Sequence, residues 1–134
     1  MGYMQNNGMT WKNLEDANKA RLPEFKNKLG EPAHSQPDGS DWSLSDWTVA
    51  TAGELGEFAN LLKKFIRGDI SQEEFKAAGA MELADVATYL SILAFRCGID
   101  MDEAVREKFN IVSERVGSRI YIGDDWEYHL RAAA

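Results

Sequence analysis

The sequence predicts an all-α domain built as a bundle of four to five helices. Over long stretches, apolar residues recur every three to four positions, which is the spacing of one face of an α-helix. Three stretches also begin with a capping pattern, a Ser or Asp followed three residues later by an acidic residue. These pairs are Ser43 with Asp46, Ser71 with Glu74, and Asp100 with Glu103. A length of 134 residues corresponds to a single domain, residues 1–134.

The first helical segment is predicted over residues 10–30. It begins near Thr10 or Trp11, and Pro23 breaks or restarts it because the residue before a proline avoids the helical conformation. The piece after Pro23 is expected to be helical as far as Gly30, since glycine commonly ends helices. Residues 31–42 are rich in Pro, Gly, Ser and Asp, which predicts a loop. A loop of this length favours a role in binding.

The core of the domain is predicted over about residues 43–117. Its three helices are expected over residues 43–67, 71–97 and 100–116. A pause is expected near Gly79, inside the second of them, because glycine is a poor helix former. The tail, residues 118–134, contains the alternating segment RIYI and is predicted to be a short extended strand or arm.

The composition excludes several classes of function. A net charge of −7 and an isoelectric point of about 4.8 argue against binding a nucleic-acid polymer through a basic surface. Cys97 is the only cysteine, so a disulfide within the chain is impossible. The first ten residues lack the features of a signal peptide, and charges interrupt the apolar stretches, so we expect no membrane span. We therefore expect a cytoplasmic protein.

Two acidic pairs lie inside the apolar faces of predicted helices. Glu54 points into the apolar sector of its helix and Glu57 lies at the edge of that sector. Glu82 and Asp85 have the same arrangement on the next helix. Acids three residues apart are common in this sequence, so the apolar surroundings are what distinguish these two pairs. A carboxylate on a packing face loses hydration, which is costly unless something compensates its charge.

Divalent metal ions could supply that compensation. If the two faces meet, four carboxylates converge and repel one another unless they are protonated or neutralised. Oxygen ligands without His or Cys favour Mg²⁺ or Mn²⁺, which support phosphoryl or nucleotidyl chemistry. Alternatively, the acids are partly exposed and pair with nearby Lys or Arg, and the residues alone leave both interpretations open. A di-iron site needs Glu-x-x-His on helices, and the one match, Glu31 to His34, falls in the predicted loop.

Candidate substrate contacts come from basic and aromatic residues. Lys108 and Arg115 lie two turns apart beside the apolar stripe of the last helix, where they either cover the core or hold phosphate oxygens. Lys64 is a weaker candidate for the same role. For a nucleobase, Trp47 and Asn18 are secondary candidates, because a base needs an apolar wall and a few polar groups. Trp11, Phe25 and Trp42 are alternatives, and His34 and His129 are expected at the surface.

Four segments of the chain resemble the all-α nucleoside triphosphate pyrophosphohydrolases, in particular the MazG-like branch of phages and bacteria. They are DWSLSDW (41–47), GELGEFANLLKKFIRGD (53–69), MELADVATYL (81–90) and EKFNIVSERVG (107–117). The paired E-x-x-E and E-x-x-D blocks are the defining motif of that superfamily. The resemblance extends over about residues 41–120.

The resemblance implies hydrolysis of the bond between the α- and β-phosphates, which yields a nucleoside monophosphate and pyrophosphate. It also implies two or three Mg²⁺ or Mn²⁺ ions per site, a metal-bound water as nucleophile, and a homodimer or homotetramer with sites near subunit contacts. The implied metal ligands, one of which would help to deprotonate the water, are Glu54, Glu57, Glu82 and Asp85. Lys108 and Arg115 match the basic positions that would bind the triphosphate.

The substrate is less closely defined. In the dCTP-hydrolysing branch an asparagine follows the lysine by four residues, whereas Val112 stands at that position here. A purine nucleotide such as dGTP, in a phage or nucleotide-pool setting, fits the resemblance. Other substrates within the superfamily are dUTP, dCTP and phosphoribosyl-ATP. The alternative of another class is a non-catalytic helical oligomerisation module.

Overall fold

A computed structural model describes residues 8–33, 36 and 38–133, and this part of the chain is mostly helical. Four α-helices and one short 3₁₀ helix precede a two-stranded antiparallel sheet. The helices are α1 (Trp11–Arg21), the 3₁₀ helix (Leu22–Glu24), α2 (Leu44–Ile66), α3 (Gln72–Arg96) and α4 (Met101–Arg115). The strands are β1 (Ile120–Ile122) and β2 (Tyr128–Leu130). The all-α prediction is confirmed at this level, and His34 lies outside the described residues.

The capping patterns start the helices where the sequence predicts. At α2, the Ser43 hydroxyl accepts a hydrogen bond from the Asp46 amide (3.0 Å), and the Asp46 carboxylate accepts one from the Ser43 amide (2.9 Å). Ser71 and Glu74 form the same reciprocal pair at α3. At α4 the Asp100 carboxylate accepts a bond from the Glu103 amide (3.1 Å), which is one half of the predicted box. Each pair satisfies amides that the first turn leaves without partners.

The helix predicted between Pro23 and Gly30 is wrong. The chain folds back there, with the Asn27 amide donating to the Glu31 carbonyl (2.9 Å) and Ala33 pairing with Phe25. The Asn27 side-chain oxygen accepts bonds from the Leu29 and Glu31 amides, at 2.8 and 3.0 Å. This local side-chain bonding competes with the helix and stabilises a turn. Gly30 then adopts a positive φ of 76°, so it closes the turn rather than ending a helix.

Gly79 does not interrupt α3, so the predicted pause there is also wrong. The residue is buried within a continuous helix. A Cβ atom at this position would lie 3.2 Å from the Phe58 ring of α2, which is closer than an ordinary van der Waals contact. The glycine therefore lets the two helices approach, and this contact between helices outweighs its low helix propensity.

The tail forms a hairpin rather than a single arm. The last three residues of RIYI form β1, as predicted. This strand pairs with β2, which was not predicted. Tyr121 stands opposite His129 in this pairing. Asn110 connects α4 to the hairpin through both the nitrogen and the oxygen of its side-chain amide. Its nitrogen donates to the Ile122 carbonyl (2.9 Å), and its oxygen accepts from the Ile122 amide (2.7 Å).

The helices pack around a small core. The most extensive contact joins α2 and α3, α1 lies against α3, and the main contacts of α4 are with α1 and β1. Buried Leu22, Trp47 and Ile92 form the centre of this core. Asp102 joins α4 to the start of α1, because its carboxylate accepts bonds from the Trp11 and Lys12 amides (2.9 and 3.1 Å).

The third helix, α3, is long and apolar enough to be compared with a membrane span. Among the described residues, α3 is the one helix with the length and mean hydropathy (1.3) of a membrane span, and only 22% of the apolar window is buried. A single helix of this kind is weak support for a span, because helices of soluble proteins meet the same criterion. Glu82 and Asp85 lie within it. Length and hydropathy alone therefore do not decide whether α3 lies in a membrane.

Candidate metal-binding site

The contact between α2 and α3 brings the acidic pairs together. Glu54 on α2 and Glu82 and Asp85 on α3 each place a carboxylate oxygen within 4.8 Å of the others. Glu57 belongs to the same group, because its carboxyl interacts with those of Glu82 and Glu54. We call these four residues the acidic cluster. The spacing within each helix sets which side the acids occupy, and the packing of the two helices makes those sides face each other.

Two members of the acidic cluster are buried in part and lack donors. Glu54 and Glu82 are half-buried, whereas Glu57 and Asp85 are exposed. The Oε2 atoms of Glu54 and Glu82 have essentially no solvent-accessible surface and no hydrogen-bond donor reaches them. Ionised carboxylates only accept hydrogen bonds, so facing carboxylates stay unsatisfied unless a proton or a cation lies between them. The arrangement therefore calls for one or the other.

The protonation of the acidic cluster reflects this excess of negative charge. The pKa of Glu82 is raised to about 7, first because its carboxyl shares a hydrogen bond with Glu57, and further by burial and by the charges of Glu57 and Glu54. Burial raises the pKa of Glu54, and the charges of Glu57 and Asp85 raise it further. Both shifts favour the neutral acid. A bound cation would have the opposite effect and favour the carboxylates.

The donor set fits a hard divalent cation. The described residues that converge here supply carboxylate oxygens and neither imidazole nor thiolate. Mg²⁺ and Mn²⁺ prefer such oxygens and usually retain positions for water and substrate phosphates. The two buried Oε2 atoms without donors fit the same ions, because a cation would satisfy both. Glu54, Glu82 and Asp85 are the residues that would hold it, with Glu57 beside them.

The predicted phosphate-binding residues are not assembled with the acidic cluster within one chain. Lys108 and Arg115 are exposed on α4, whose main contacts are with α1 and β1 rather than with α2 and α3. In the described part of the chain neither residue forms an ion pair with the acids. Lys64 is exposed on α2, two turns beyond Glu57.

The predicted base contacts lie inside the fold. Trp47 is 0% exposed, and its indole N–H donates to the Gly39 carbonyl (2.9 Å), so no ring surface remains for stacking a base. Asn18 is also buried, and its side-chain amide donates to the Thr88 carbonyl (3.3 Å). Trp47 holds the loop against α2, and Asn18 holds α1 against α3. Of the alternatives, Phe25 keeps the most accessible ring.

Two residues near the acidic cluster were not identified from the sequence. Tyr89 lies one turn after Asp85 on α3, and burial together with the charges of Glu54 and Asp85 raises its pKa. The spacing of four residues could have identified Tyr89, because it places both side chains on one side of the helix. Arg21, at the end of α1, acts electrostatically on the same phenol. No sequence signal indicates Arg21, since its position depends on how α1 packs.

Comparison with known families, with curated proteins and with solved structures found no match to this chain. The resemblance to MazG-like enzymes therefore stays an expectation from four sequence segments. The acidic cluster and its surroundings are the observations from which a function can be inferred.

Proposed function

We propose that this protein is a metal-dependent nucleoside triphosphate pyrophosphohydrolase of the all-α, MazG-like type. The observation that carries the proposal is the acidic cluster. It contains two carboxylate oxygens, one on Glu54 and one on Glu82, that are shielded from solvent and reached by no donor. Such an arrangement raises the free energy of the metal-free protein, and binding of a cation would recover that free energy. Purely structural acids would more commonly lie next to Lys or Arg.

The chemistry follows from the placement of the carboxylates. Mg²⁺ or Mn²⁺, two or three ions per site, would supply positive charge for the phosphates and a water of lowered pKa. Half-buried Glu54 and Glu82 hold their oxygens in a fixed position, while exposed Glu57 and Asp85 lie where a substrate can approach. One of the four carboxylates accepts the proton of the attacking water. Water adds across the anhydride between the α- and β-phosphates, and the products are a monophosphate and pyrophosphate.

The substrate in this proposal is a nucleoside or deoxynucleoside triphosphate, with a purine such as dGTP as the first candidate. That choice rests on the resemblance and fits a cytoplasmic role in phage precursor supply or pool cleaning, in a bacterium or an infected host. Other substrates, dUTP, dCTP and phosphoribosyl-ATP, keep the same carboxylate chemistry. A non-catalytic oligomerisation module is the candidate of a different class, and the exposed apolar surface favours it.

The experiment that tests this function is product analysis by anion-exchange chromatography. The purified protein is incubated with each of the eight common NTPs and dNTPs, and with phosphoribosyl-ATP, in Mg²⁺, Mn²⁺ or EDTA. We expect a monophosphate and pyrophosphate from at least one substrate, and none with EDTA, because the acidic cluster acts only with a cation. A diphosphate and inorganic phosphate would contradict the position of cleavage. Intact nucleotides throughout would favour the non-catalytic module.

We further propose that the protein is a homodimer or homotetramer. Exposed apolar side chains on three of the helices are the observation that supports this assembly. Large apolar side chains are exposed on α2, α3 and α4, among them Leu55, Ile66, Met81, Leu83, Phe109 and Ile111. A second copy of the chain would cover this surface and could bring Lys108 and Arg115 nearer to an acidic cluster.

Light scattering coupled to size exclusion tests the assembly. We expect the mass of two or four chains at micromolar concentration, because it is costly to leave many large apolar side chains in contact with water. The same measurement in EDTA shows whether the assembly depends on bound metal. A mass of one chain in both buffers would contradict the proposal.

A further inference from the structure

The end of α1 is held against the middle of α3 by two buried residues. Asn18 donates its side-chain amide to the Thr88 carbonyl (3.3 Å) and is 3% exposed. Leu22 is 2% exposed and packs in the core with Trp47, against which Tyr89 also packs. Arg21, the last residue of α1, lies in the chain between Asn18 and Leu22. The backbone at Arg21 is therefore fixed beside the part of α3 that carries Thr88 and Tyr89.

Tyr89 connects this region to the acidic cluster. It lies one turn after Asp85, and its ring centroid is 6.1 Å from that of Trp47. The negative charges of Glu54 and Asp85 act on its phenol, and the positive charge of Arg21 opposes them. The end of α1 thus lies beside the turn of α3 that follows Asp85, because Asn18 is bonded to Thr88 and Leu22 shares a core with Tyr89.

The Arg21 guanidinium is available for an anion. Arg21 is exposed, and its guanidinium carbon lies 5.6 Å from the centre of the Phe25 ring. Within the described residues it forms no ion pair with a carboxylate. Lys12 and Lys19, on the same helix, are both paired with Glu15. Arg21 is therefore the cation of α1 that no acid in the described part of the chain neutralises, and its backbone lies beside the turn of α3 that follows Asp85.

We propose that Arg21 is a phosphate-binding residue of the acidic site and contacts the polyphosphate chain of the substrate. The inference rests on the proposed function and names the part of the substrate that is recognised. Cations held by the acidic cluster would neutralise the phosphates nearest to the carboxylates, and Arg21 would reach the phosphate chain from the end of α1. A guanidinium suits this task because its planar set of donors matches two phosphate oxygens at once. Stacking on Phe25 limits its motion and lowers the entropy lost on binding.

The test is calorimetric titration with inorganic tripolyphosphate in the presence of Mn²⁺, together with titration of Mn²⁺ alone. For Arg21→Gln we expect about tenfold weaker tripolyphosphate binding, as for the loss of one charge-assisted contact. Binding of Mn²⁺ alone and the melting temperature should not change, because Arg21 is neither a ligand nor buried. The matched control is Lys19→Gln, which removes one charge from the same helix but lies over Phe95, on another surface. We expect the control to bind tripolyphosphate as the unaltered protein does, and Arg21→Lys to recover part of the loss.

Two further readouts separate this inference from the proposed function. With an active substrate, Arg21→Gln should raise KM about tenfold and change kcat by less than about threefold, since the interaction is made before the transition state. If the unaltered protein binds tripolyphosphate but hydrolyses no nucleotide, the proposed function fails while weaker binding by Arg21→Gln still supports the phosphate contact. Equal binding by the unaltered protein and Arg21→Gln would overturn the role of Arg21. Absence of tripolyphosphate binding to the unaltered protein would overturn it as well.

Discussion

Replacement of Glu54 by Gln is expected to lower the rate of nucleotide hydrolysis by on the order of a thousandfold or more. The amide keeps the size of the side chain and removes the negative charge that would hold the metal. Asp85→Asn should have a comparable effect, because Asp85 belongs to the same group of converging oxygens. The measurement is the initial rate of pyrophosphate release with saturating Mg²⁺ or Mn²⁺. Rates within about threefold of the unaltered protein would show that the reaction does not use this cluster.

The matched control is Glu73→Gln. Glu73 is an exposed acid in the first turn of α3, outside the acidic cluster, and it is not the capping residue of that helix. It tests whether loss of one negative charge on α3 is enough to affect the rate, and we expect no change. The metal-free Glu54→Gln protein should in addition unfold at a higher temperature than the unaltered protein, since the substitution removes a repelling charge. Lower activity with higher stability could not be attributed to misfolding.

The second large effect concerns pH and metal together. In EDTA we expect the free energy of unfolding to fall as pH rises from about 5 to about 8. The pKa of Glu82 rises from an ordinary 4.5 to about 7 in the folded protein, so the folded state binds the proton more tightly than the unfolded state does. The stabilisation is complete below the unfolded pKa and is lost as pH passes the folded pKa. The raised pKa of Glu54 acts in the same direction.

The carboxylates with a lowered pKa do not contribute to this slope between about pH 5 and about pH 8. Hydrogen bonds lower the pKa of Asp38, Asp46 and Asp125, so they stabilise the fold above their ordinary pKa of 3.8 and lose that effect only in more acidic solution. Chemical denaturation in EDTA at several pH values measures the slope. Glu82→Gln is the control, and its curve should be flatter because the titrating carboxyl is gone. A free energy of unfolding that is level or increases over this interval in the unaltered protein would contradict the prediction.

Added Mg²⁺ or Mn²⁺ should oppose the loss of stability that accompanies rising pH in EDTA. A cation and a proton compete for the same carboxylate oxygens, so the gain in melting temperature on adding metal should be larger at about pH 8 than at about pH 5. Glu54→Gln should lose most of this gain, whereas Glu73→Gln should keep it. If the gain in melting temperature does not depend on pH or on Glu54, the metal binds outside the acidic cluster. A non-catalytic helical module predicts no such coupling between pH, metal and the acidic cluster.

The sequence by itself determined the starts of α2 and α3, the end of α2, and the facing of the acids within each helix. α2 begins at the Ser43 cap, α3 at the Ser71 cap, and Gly68 follows α2 with the positive φ of a helix stop. These features depend on residues three or four positions apart, so they can be recognised in any short window. The same is true of Glu54 with Glu57 and of Glu82 with Asp85, whose spacing places each pair on one side of a helix.

Only the tertiary structure decided which surfaces meet. The contact of α2 with α3 brings the two acidic pairs together and explains why Gly79 stays helical. Trp47 becomes core rather than a base contact, α4 has its main contacts with α1 and β1, and the end of α1 packs beside Thr88 of α3. Contacts of this kind join residues far apart in the chain. Their free energy depends on packing, burial and the loss of chain entropy, which no local pattern of residue types records.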